Sequence, residues 1–508
     1  MVAPVNRKRA IDAANGLDAA KGGRRTRSGR ASWLTAAAIA RVTGGEVIAR
    51  GEAAVGVTTD SRADCLGKLF VALRGQKHDG HAYLATAAQA GAAGLLVATA
   101  PSTLPSDRSS ERAAPFVVRV ADTGQALLDL AAEHRRRHRA KVIGVTGSCG
   151  KTSTKEWLGA VLASVMPAVR SPGSFNNQIG VPLTLFAIEP DTRAAVVEIG
   201  TNAPGEIAQL TQVARPDIGI VTCVAPAHLE GLGSVEGVAR EKSSLPAGLP
   251  EDGLCILNGD DAACRAMAAV TKAKVELFRV EREADWFATD VRFTAMGTTF
   301  LLQGKRPVTL PRLGTHNVYN ALAVIAAASH LGVAEEDVLT ALAKVPSAQR
   351  RLEPKVAGGV VVFDDTYNMN PQSASAALHA LAGLSAGGRR IVVFGEMREL
   401  GAHSEMLHRT LGQEVATTRQ DVLLCVGEGA APIADGAVAA GMPAAAVHRL
   451  ADQEQALPLL RSLLRPGDRV LCKASRRVAL DQLVDRLVAE LGGGEMSGGR
   501  GDAAATTS

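Results

Sequence analysis

Apolar positions along this chain follow two alternating rhythms. Short β-branched runs, apolar throughout as for strands covered on both faces, alternate with stretches whose apolar residues recur three and four apart. Val142-Ile143-Gly144-Val145-Thr146 predicts a strand, and residues 152–166 the helix that follows it. Further strands are predicted at residues 57–59, 69–73 and 94–97, the last after a helix over 82–91. The same pattern places strands at 194–199 and 218–224, and again at 360–363, 391–394, 422–426 and 469–472. Strand–helix alternation of this kind predicts α/β layers built on parallel, doubly wound sheets.

Composition shifts divide the chain into three domains with tails. Residues 31–138 form a small α/β domain, 139–347 a central domain with a parallel sheet, and 348–492 a third, doubly wound domain. Residues 1–30 are expected to be a disordered basic tail, and the glycine-rich residues 493–508 a flexible one. Glu133-His134-Arg135-Arg136-Arg137-His138-Arg139 reads as the solvated end of a helix near the first boundary, and there is no internal repeat.

Charge changes the picture little. The formal net charge is +5, but residues 1–30 carry eight Lys/Arg against Asp12 and Asp18, so the remainder is close to neutral and offers no basic face to nucleic acid. No run approaches the roughly 18 apolar residues of a membrane span, and the basic tail lacks the apolar core of a secretory signal. The seven cysteines are scattered without a C-x-x-C pair, as expected of reduced thiols in a cytoplasmic protein. A monomer is expected.

The chemistry begins at Thr146-Gly147-Ser148-Cys149-Gly150-Lys151-Thr152-Ser153, between the predicted strand and its helix. Glycines let backbone N–H groups reach phosphate oxygens. The helix N-terminus and Lys151 add positive charge, and the Thr152 hydroxyl suits Mg²⁺. The spacing is shorter than the strict G-x-x-x-x-G-K-[ST] pattern, since Val145 stands where its first glycine would be. The segment nevertheless predicts nucleoside triphosphate binding. Asn176-Asn177 before Ile179-Gly180-Val181-Pro182 read by themselves as an Asx turn. Glu198 ends a predicted strand, where ligands of open α/β sheets sit, and is a candidate Mg²⁺ partner. His228 and Lys242, taken singly, read as a structural histidine and a surface lysine.

In this order the glycine loop, Asn-Asn-x-Ile-Gly-Val-Pro and the Glu198–Ile207 segment resemble the Mur ligases, ATP-dependent amide-forming enzymes of peptidoglycan precursor synthesis. The resemblance covers about residues 51–480, with further matches at Gly314–Ala321, Asp364–Pro371 and Lys473–Arg476. Asp364-Asp365-Thr366-Tyr367-Asn368-Met369-Asn370-Pro371 and Gly395–Gly401, with Ser404 and His408, are similar to the branch that adds D-alanyl-D-alanine. The Asp-Asn-Pro-Arg run expected of the diaminopimelate-adding branch is missing from the chain. Cys223 departs from the family, which more often has asparagine there, and Ser243-Ser244 replace a usual acid after Lys242.

The resemblance implies a uridine-nucleotide-binding first domain using Ser61, Arg62, Lys77, Asp79 and His81, a central phosphate-loop ATPase domain and a Rossmann-like third one. The cofactors it implies are ATP and Mg²⁺, and the partners UDP-N-acetylmuramoyl-tripeptide and D-alanyl-D-alanine. Gly147, Ser148, Cys149, Gly150, Lys151, Thr152 and Ser153 would hold phosphates, with Asn176 and Asn177 close by. Asn317 and Asn320 would contact the adenine side, and Arg351, Asp365 and Asn368 would reach in from the third domain. Thr152, Glu198, His228 and a carbamylated Lys242 would ligate Mg²⁺, with Lys151, His228 and Lys242 the catalytic set. Two alternatives stay open: another ligase of the superfamily, diaminopimelate-adding or folylpolyglutamate-type, and a nucleotide-binding regulator without catalysis.

Overall fold

The computed structural model describes residues 32–75, 78–101, 114–294, 297–345, 349–384 and 388–493. The basic segment 1–30, Lys77 and the glycine-rich segment from residue 494 lie outside the described residues. Three sheets follow one another along the chain. No helix among the described residues is long and apolar enough to cross a membrane.

The first sheet has the order β1-β5-β4-β3-β2, from β1 (Glu46–Ala49), β2 (Val57–Thr58), β3 (Leu69–Val71), β4 (Gly94–Val97) and β5 (Phe116–Arg119). Only β1 runs antiparallel, against β5. Ile39 of one helix and Leu127 and Leu130 of another pack on Leu69, Leu96 and Phe116, closing one face of this sheet.

The central sheet is mixed rather than parallel throughout. Its strands are β6 (Lys141–Thr146), β7 (Ala168–Arg170), β8 (Ala194–Glu198), β9 (Ile218–Val221), β10 (Leu254–Asn258), β11 (Lys274–Val280), β12 (Trp286–Thr294), β13 (Gly297–Leu302) and β14 (Arg306–Leu310). The order is β14-β13-β12-β11-β10-β9-β6-β8-β7. The strands from β7 to β12 pair in parallel, whereas β12, β13 and β14 form an antiparallel meander. Short connections permit only antiparallel return, and in β13 burial alternates at Phe300, Leu301 and Leu302, the pattern of a strand with one solvated face. The helices Lys151–Ala163 and Thr315–His330 cover the sheet, burying Trp157, Leu158, Leu322 and Ile325. The second of these helices is apolar on nearly every side, as expected of a helix enclosed by its neighbours.

The third sheet has the order β15-β16-β20-β17-β18-β19, with only β15 (Glu353–Ala357) antiparallel. The others are β16 (Val360–Asp365), β17 (Arg390–Phe394), β18 (Val422–Val426), β19 (Val447–Leu450) and β20 (Arg469–Lys473). The chain leaves β16, passes over the position of β20 and returns as β17, which creates a switch point at the C-terminal strand edge. One apolar cluster joins the central and third units, running from Leu229 and Leu232 to Met397 and Leu400.

The basic run after Glu133 is not wholly solvated. Arg135 donates to the Ala214, His138 and Arg215 carbonyls and pairs with Asp217 at 3.0 Å. His134 is buried between His138 and Phe186, and burial pushes its imidazole down to about 4. Carbonyls at the end of the helix Glu206–Ala214 need donors, and Arg135 supplies them.

Candidate active site

Strand register brings the motifs to one edge. Val145 lies opposite Glu198 and Thr146 opposite Val221, so the loop after β6, the end of β8 and the segment after β9 emerge side by side. The loop turns at Gly147, φ +148°, and Gly150, φ +85°. A Cβ on Gly147 would lie 1.9 Å from Thr222 Oγ1, and one on Gly150 2.4 Å from Asn320 Oδ1. No other residue fits either place. Ser148 Oγ donates to the Ala225 carbonyl at 3.0 Å and accepts from the Ala225 N–H at 2.9 Å, which pins the loop to the segment after β9. Lys151 folds back to donate to the Gly147 carbonyl.

Glu198 is 1% exposed. Its Oε1 accepts from Asn176 Nδ2 at 2.9 Å, while Oε2 is buried with no hydrogen-bond partner. A buried carboxylate oxygen without a donor is costly unless a cation completes it. Of the paired asparagines, only Asn176 holds Glu198. Asn177 Oδ1 accepts from the N–H groups of Ile179 and Gly180, turning the chain into the helix Gly180–Phe186. Asn317 and Asn320 are buried, with Asn320 Oδ1 accepting from Thr154 at 3.3 Å.

Lys242 is 1% exposed, and no described acid pairs with its Nζ. Burial, reinforced by Lys151, pulls its ammonium down to about 7. Neighbouring Glu241 instead caps the helix Glu206–Ala214 through the N–H groups of Gly205 and Ile207, at 2.7 Å each. His228 takes a left-handed conformation, φ +54°, and its Nδ1 lies 2.7 Å from Glu399 Oε2 of the third unit. The His228 hydrogen bond holds the Glu399 carboxyl below its usual range.

The third unit closes over this edge. Arg351 Nη2 donates to Thr152 Oγ1 at 3.2 Å and its guanidinium lies 4.2 Å from the centre of the Tyr367 ring, with Arg476 5.2 Å from the same ring. Register sets Asp365 beside Lys473, whose buried Nζ donates to Asp365 Oδ2 at 2.7 Å and to the Asn368 carbonyl at 2.9 Å. Burial raises the Asp365 carboxyl against the opposing pull of Lys473. Lys473→Met is expected to cost about 3 kcal/mol or more by stranding that carboxylate, read as an earlier unfolding transition of the full chain. An unchanged transition would mean Asp365 is neutral or satisfied elsewhere.

A cleft of about 1340 Å³ is lined by Ser148 to Ser153, Asn176, Asn177, Glu198, His228 and Lys242, and by Asn317, Asn320, Arg351, Asp365 and Asn368. Every nucleotide and metal residue expected from the sequence except Gly147 thus faces one space. Of the expected uridine-site residues, the described ones, Ser61, Arg62, Asp79 and His81, do not line it. Arg62 clasps Asp60 through Nε and Nη2 at 2.9 and 2.8 Å. Asp79 Oδ1 holds His81 through its N–H at 2.9 Å and Nδ1 at 2.6 Å, and His81 Nε2 accepts from Ala98 N–H at 2.9 Å. These side chains shape two local turns, one after β2 and one packed on the segment that follows β4.

Asn258, Asp260, Tyr319, Arg398 and Arg477 also line the cleft and are not among the site residues expected from the sequence. Tyr319 Oη donates to Asp260 Oδ2 at 3.0 Å, and Asn258 Nδ2 to the Thr222 carbonyl at 3.0 Å. Asn258-Gly259-Asp260-Asp261, a turn at a strand end, is the signal that could have marked the first two, while Tyr319 and Arg398 lie inside the Gly314–Ala321 and Gly395–Gly401 runs and Arg477 directly follows Lys473–Arg476.

Family models match in two places: the Mur ligase middle domain at residues 145–328, and the Mur ligase glutamate ligase domain at residues 350–476. The UDP-N-acetylmuramoyl-tripeptide–D-alanyl-D-alanine ligase of Bacillus subtilis is 34% identical over 85% of this chain and 93% of its own length. The Mycobacterium tuberculosis enzyme of the same name is 37% identical over 90% of this chain and 98% of its own. Among solved structures, a MurF from Acinetobacter baumannii superposes with a TM-score of 0.80 at 30% identity, covering 90% of this chain and 99% of that one. The Thermotoga maritima MurF, solved in complex with ADP, gives 0.75 at 25% identity, covering 86% and 97%. A glycine loop, an open carboxylate and a buried lysine on one strand edge, in a chain similar to these enzymes over 85–90% of its length, make it a ligase belonging to the Mur ligase family, in its UDP-N-acetylmuramoyl-tripeptide–D-alanyl-D-alanine branch.

Proposed function

We propose that this chain joins D-alanyl-D-alanine to UDP-N-acetylmuramoyl-tripeptide, with cleavage of ATP to ADP and phosphate. The observation that carries the reading is the shared cleft, where the phosphate loop, Glu198 and Lys242 meet Arg351 and Asn368 of the third unit.

In the first step the tripeptide carboxylate attacks the γ-phosphorus and ADP leaves, giving an acyl phosphate. Two anions must approach, so the cleft has to supply positive charge between them. Lys151 would move from the Gly147 carbonyl to the transferred phosphoryl group, and Arg351 stands beside Thr152 to meet the same charge. In the second step the dipeptide amine attacks the acyl carbon, and the tetrahedral adduct expels phosphate, which leaves as hydrogen phosphate with the proton given up by the amine. Contacts between the third unit and the loop keep water from the acyl phosphate. The first unit would hold the uridine diphosphate through Ser61, Arg62 and Lys77, with Asp79 and His81 shaping the turn.

Mg²⁺ fits the donors present. Among the described residues no three of His, Cys, Asp and Glu form a ready-made metal cage, but Mg²⁺ needs only one or two carboxylates beside phosphate oxygens. Glu198 Oε2 is buried and without a donor, and Thr152 is the loop hydroxyl. His228 and a carbamylated Lys242 would complete a second position. The ion supplies charge neutralisation at the phosphates when bound. Lys242 as an ammonium cannot ligate a cation, whereas its buried, unpaired amine is placed to add CO₂ and become an anion.

The test is a coupled assay of ADP release with diaminopimelate- or lysine-containing tripeptide, with and without D-alanyl-D-alanine. Release that requires both substrates supports the reading. No release, or release indifferent to the dipeptide, overturns it.

A further inference from the structure

Two of the seven cysteines meet at the phosphate loop. The Cys149 N–H donates to Cys223 Sγ at 3.2 Å, and the Cys223 thiol faces the Cys149 carbonyl at 3.5 Å. Both line the cleft, Cys149 half-buried and Cys223 buried just past the end of β9. Cys149 Sγ also reaches across to Asn370 Oδ1 at 3.2 Å, the side chain that caps the helix Pro371–Ala382. We propose that Cys149 and Cys223 form a redox-sensitive dithiol, which a peroxide closes into a disulfide that disables the nucleotide loop.

The two thiols are chemically unequal. The Cys223 hydrogen bond and the charges of Lys151 and Lys473 favour the Cys149 thiolate, while the same pairing and burial disfavour ionisation of Cys223. A thiolate is the attacking species and its neutral neighbour the resolving one. Burial pushes the thiols of Cys255 and Cys425 up to about 12, and those of Cys264 and Cys472 higher still. They are poor competitors.

The steps balance. Cys149 sulfur attacks a peroxide oxygen, the O–O bond breaks, and the leaving hydroxide departs as water, giving a sulfenic acid. Cys223 sulfur then attacks Cys149 sulfur, the S–S bond forms as S–O breaks, and a second water leaves with the Cys223 proton. Two thiols are oxidised and one hydrogen peroxide is reduced to two waters.

The consequence follows from the contacts. Drawing Cys149 Sγ toward Cys223 removes it from Asn370 and breaks a bridge between the loop and the third unit, so the closed arrangement needed for phosphoryl transfer is lost. The loss of function rests on the phosphate-loop reading, whereas the disulfide itself does not.

The experiment uses the reduced full chain, treated with hydrogen peroxide with and without ADP, then alkylated and mapped by mass spectrometry. The expected result is a linked peptide joining Cys149 to Cys223 that grows as ligase activity falls by about tenfold or more. Dithiothreitol reverses both, and saturating ADP slows both. In Cys223→Ser, each activity being compared with its own untreated value, peroxide should over-oxidise Cys149 and dithiothreitol should no longer restore it. Inactivation without the 149–223 linkage, a Cys223–Cys264 linkage in its place, or full activity of the linked form overturns the proposal. ADP binding, measured before and after peroxide, reads the same loop if no ligation is detected, so failure of the functional reading remains distinguishable.

Discussion

Lys151→Ala is expected to lower ligation by at least about 10³-fold while leaving the fold intact, because the lysine neutralises charge in transit rather than packing a core. Its Nζ rests on the Gly147 carbonyl, inside its own loop, so no other element depends on it. The loop is shaped by Gly147 and Gly150 and by the Ser148–Ala225 hydrogen bonds, all of which survive the substitution. Alanine is also a good residue for the first turn of the helix Lys151–Ala163. The measurement is ADP release under saturating substrates, alongside the thermal unfolding of the variant. Activity within about tenfold of the parent, a difference of only about 1.4 kcal/mol in barrier, would sink the assignment of this loop to the γ-phosphate.

Local chemistry makes the loop legible in the amino-acid sequence. A β-branched run, glycines and Gly-Lys-Thr lie within thirteen residues, and the strand–turn–helix they predict is what β6 and the following helix form. Glu198 is legible for a similar reason, since an apolar run ending in an acid marks a strand end. The pairs that assemble the site are not. His228 with Glu399, Asp365 with Lys473, Cys149 with Asn370 and Arg351 with Thr152 join residues more than 100 positions apart. Hydrophobic periodicity reports which face of an element is buried, not which distant element covers it. The meander β12 to β14 escapes the pattern because those strands mix polar residues with apolar ones, unlike the fully buried runs of the parallel strands. Asn177 shows the reverse case. The sequence allows both an Asx turn and a nucleotide contact, and its side-chain oxygen performs the turn while the residue still lines the cleft.

Lys242→Ala is expected to be nearly inactive, with a loss of roughly 10³-fold, and small carboxylates such as formate or acetate are expected to restore part of the activity. An ordinary surface lysine would cost little, because exposed ion pairs contribute about 1 kcal/mol or less. Lys242 is buried beside Lys151 with no described acid against it, a poor place for an ammonium and a suitable one for a neutral amine. Its depression to about 7 means that near neutral pH a large share of the side chain is unprotonated and open to CO₂. The product is a carbamate, an anion that a second Mg²⁺ near His228 would require. The pH dependence has a definite sign. With the folded pKa below that of a free lysine, the unfolded chain binds more protons between the two values, so this group lowers stability at acidic pH and the deficit shrinks as pH rises through about 7 toward the free-lysine value. Lys242→Met, which keeps the length without the amine, should therefore stabilise the chain most below about pH 7 while abolishing ligation. Near-parental activity in either variant rejects ligation of a metal. If both are folded, inactive and deaf to added carboxylate, activity of the parent chain in CO₂-depleted buffer decides: a fall that bicarbonate reverses assigns the carbamate, and indifference assigns the role to the amine itself.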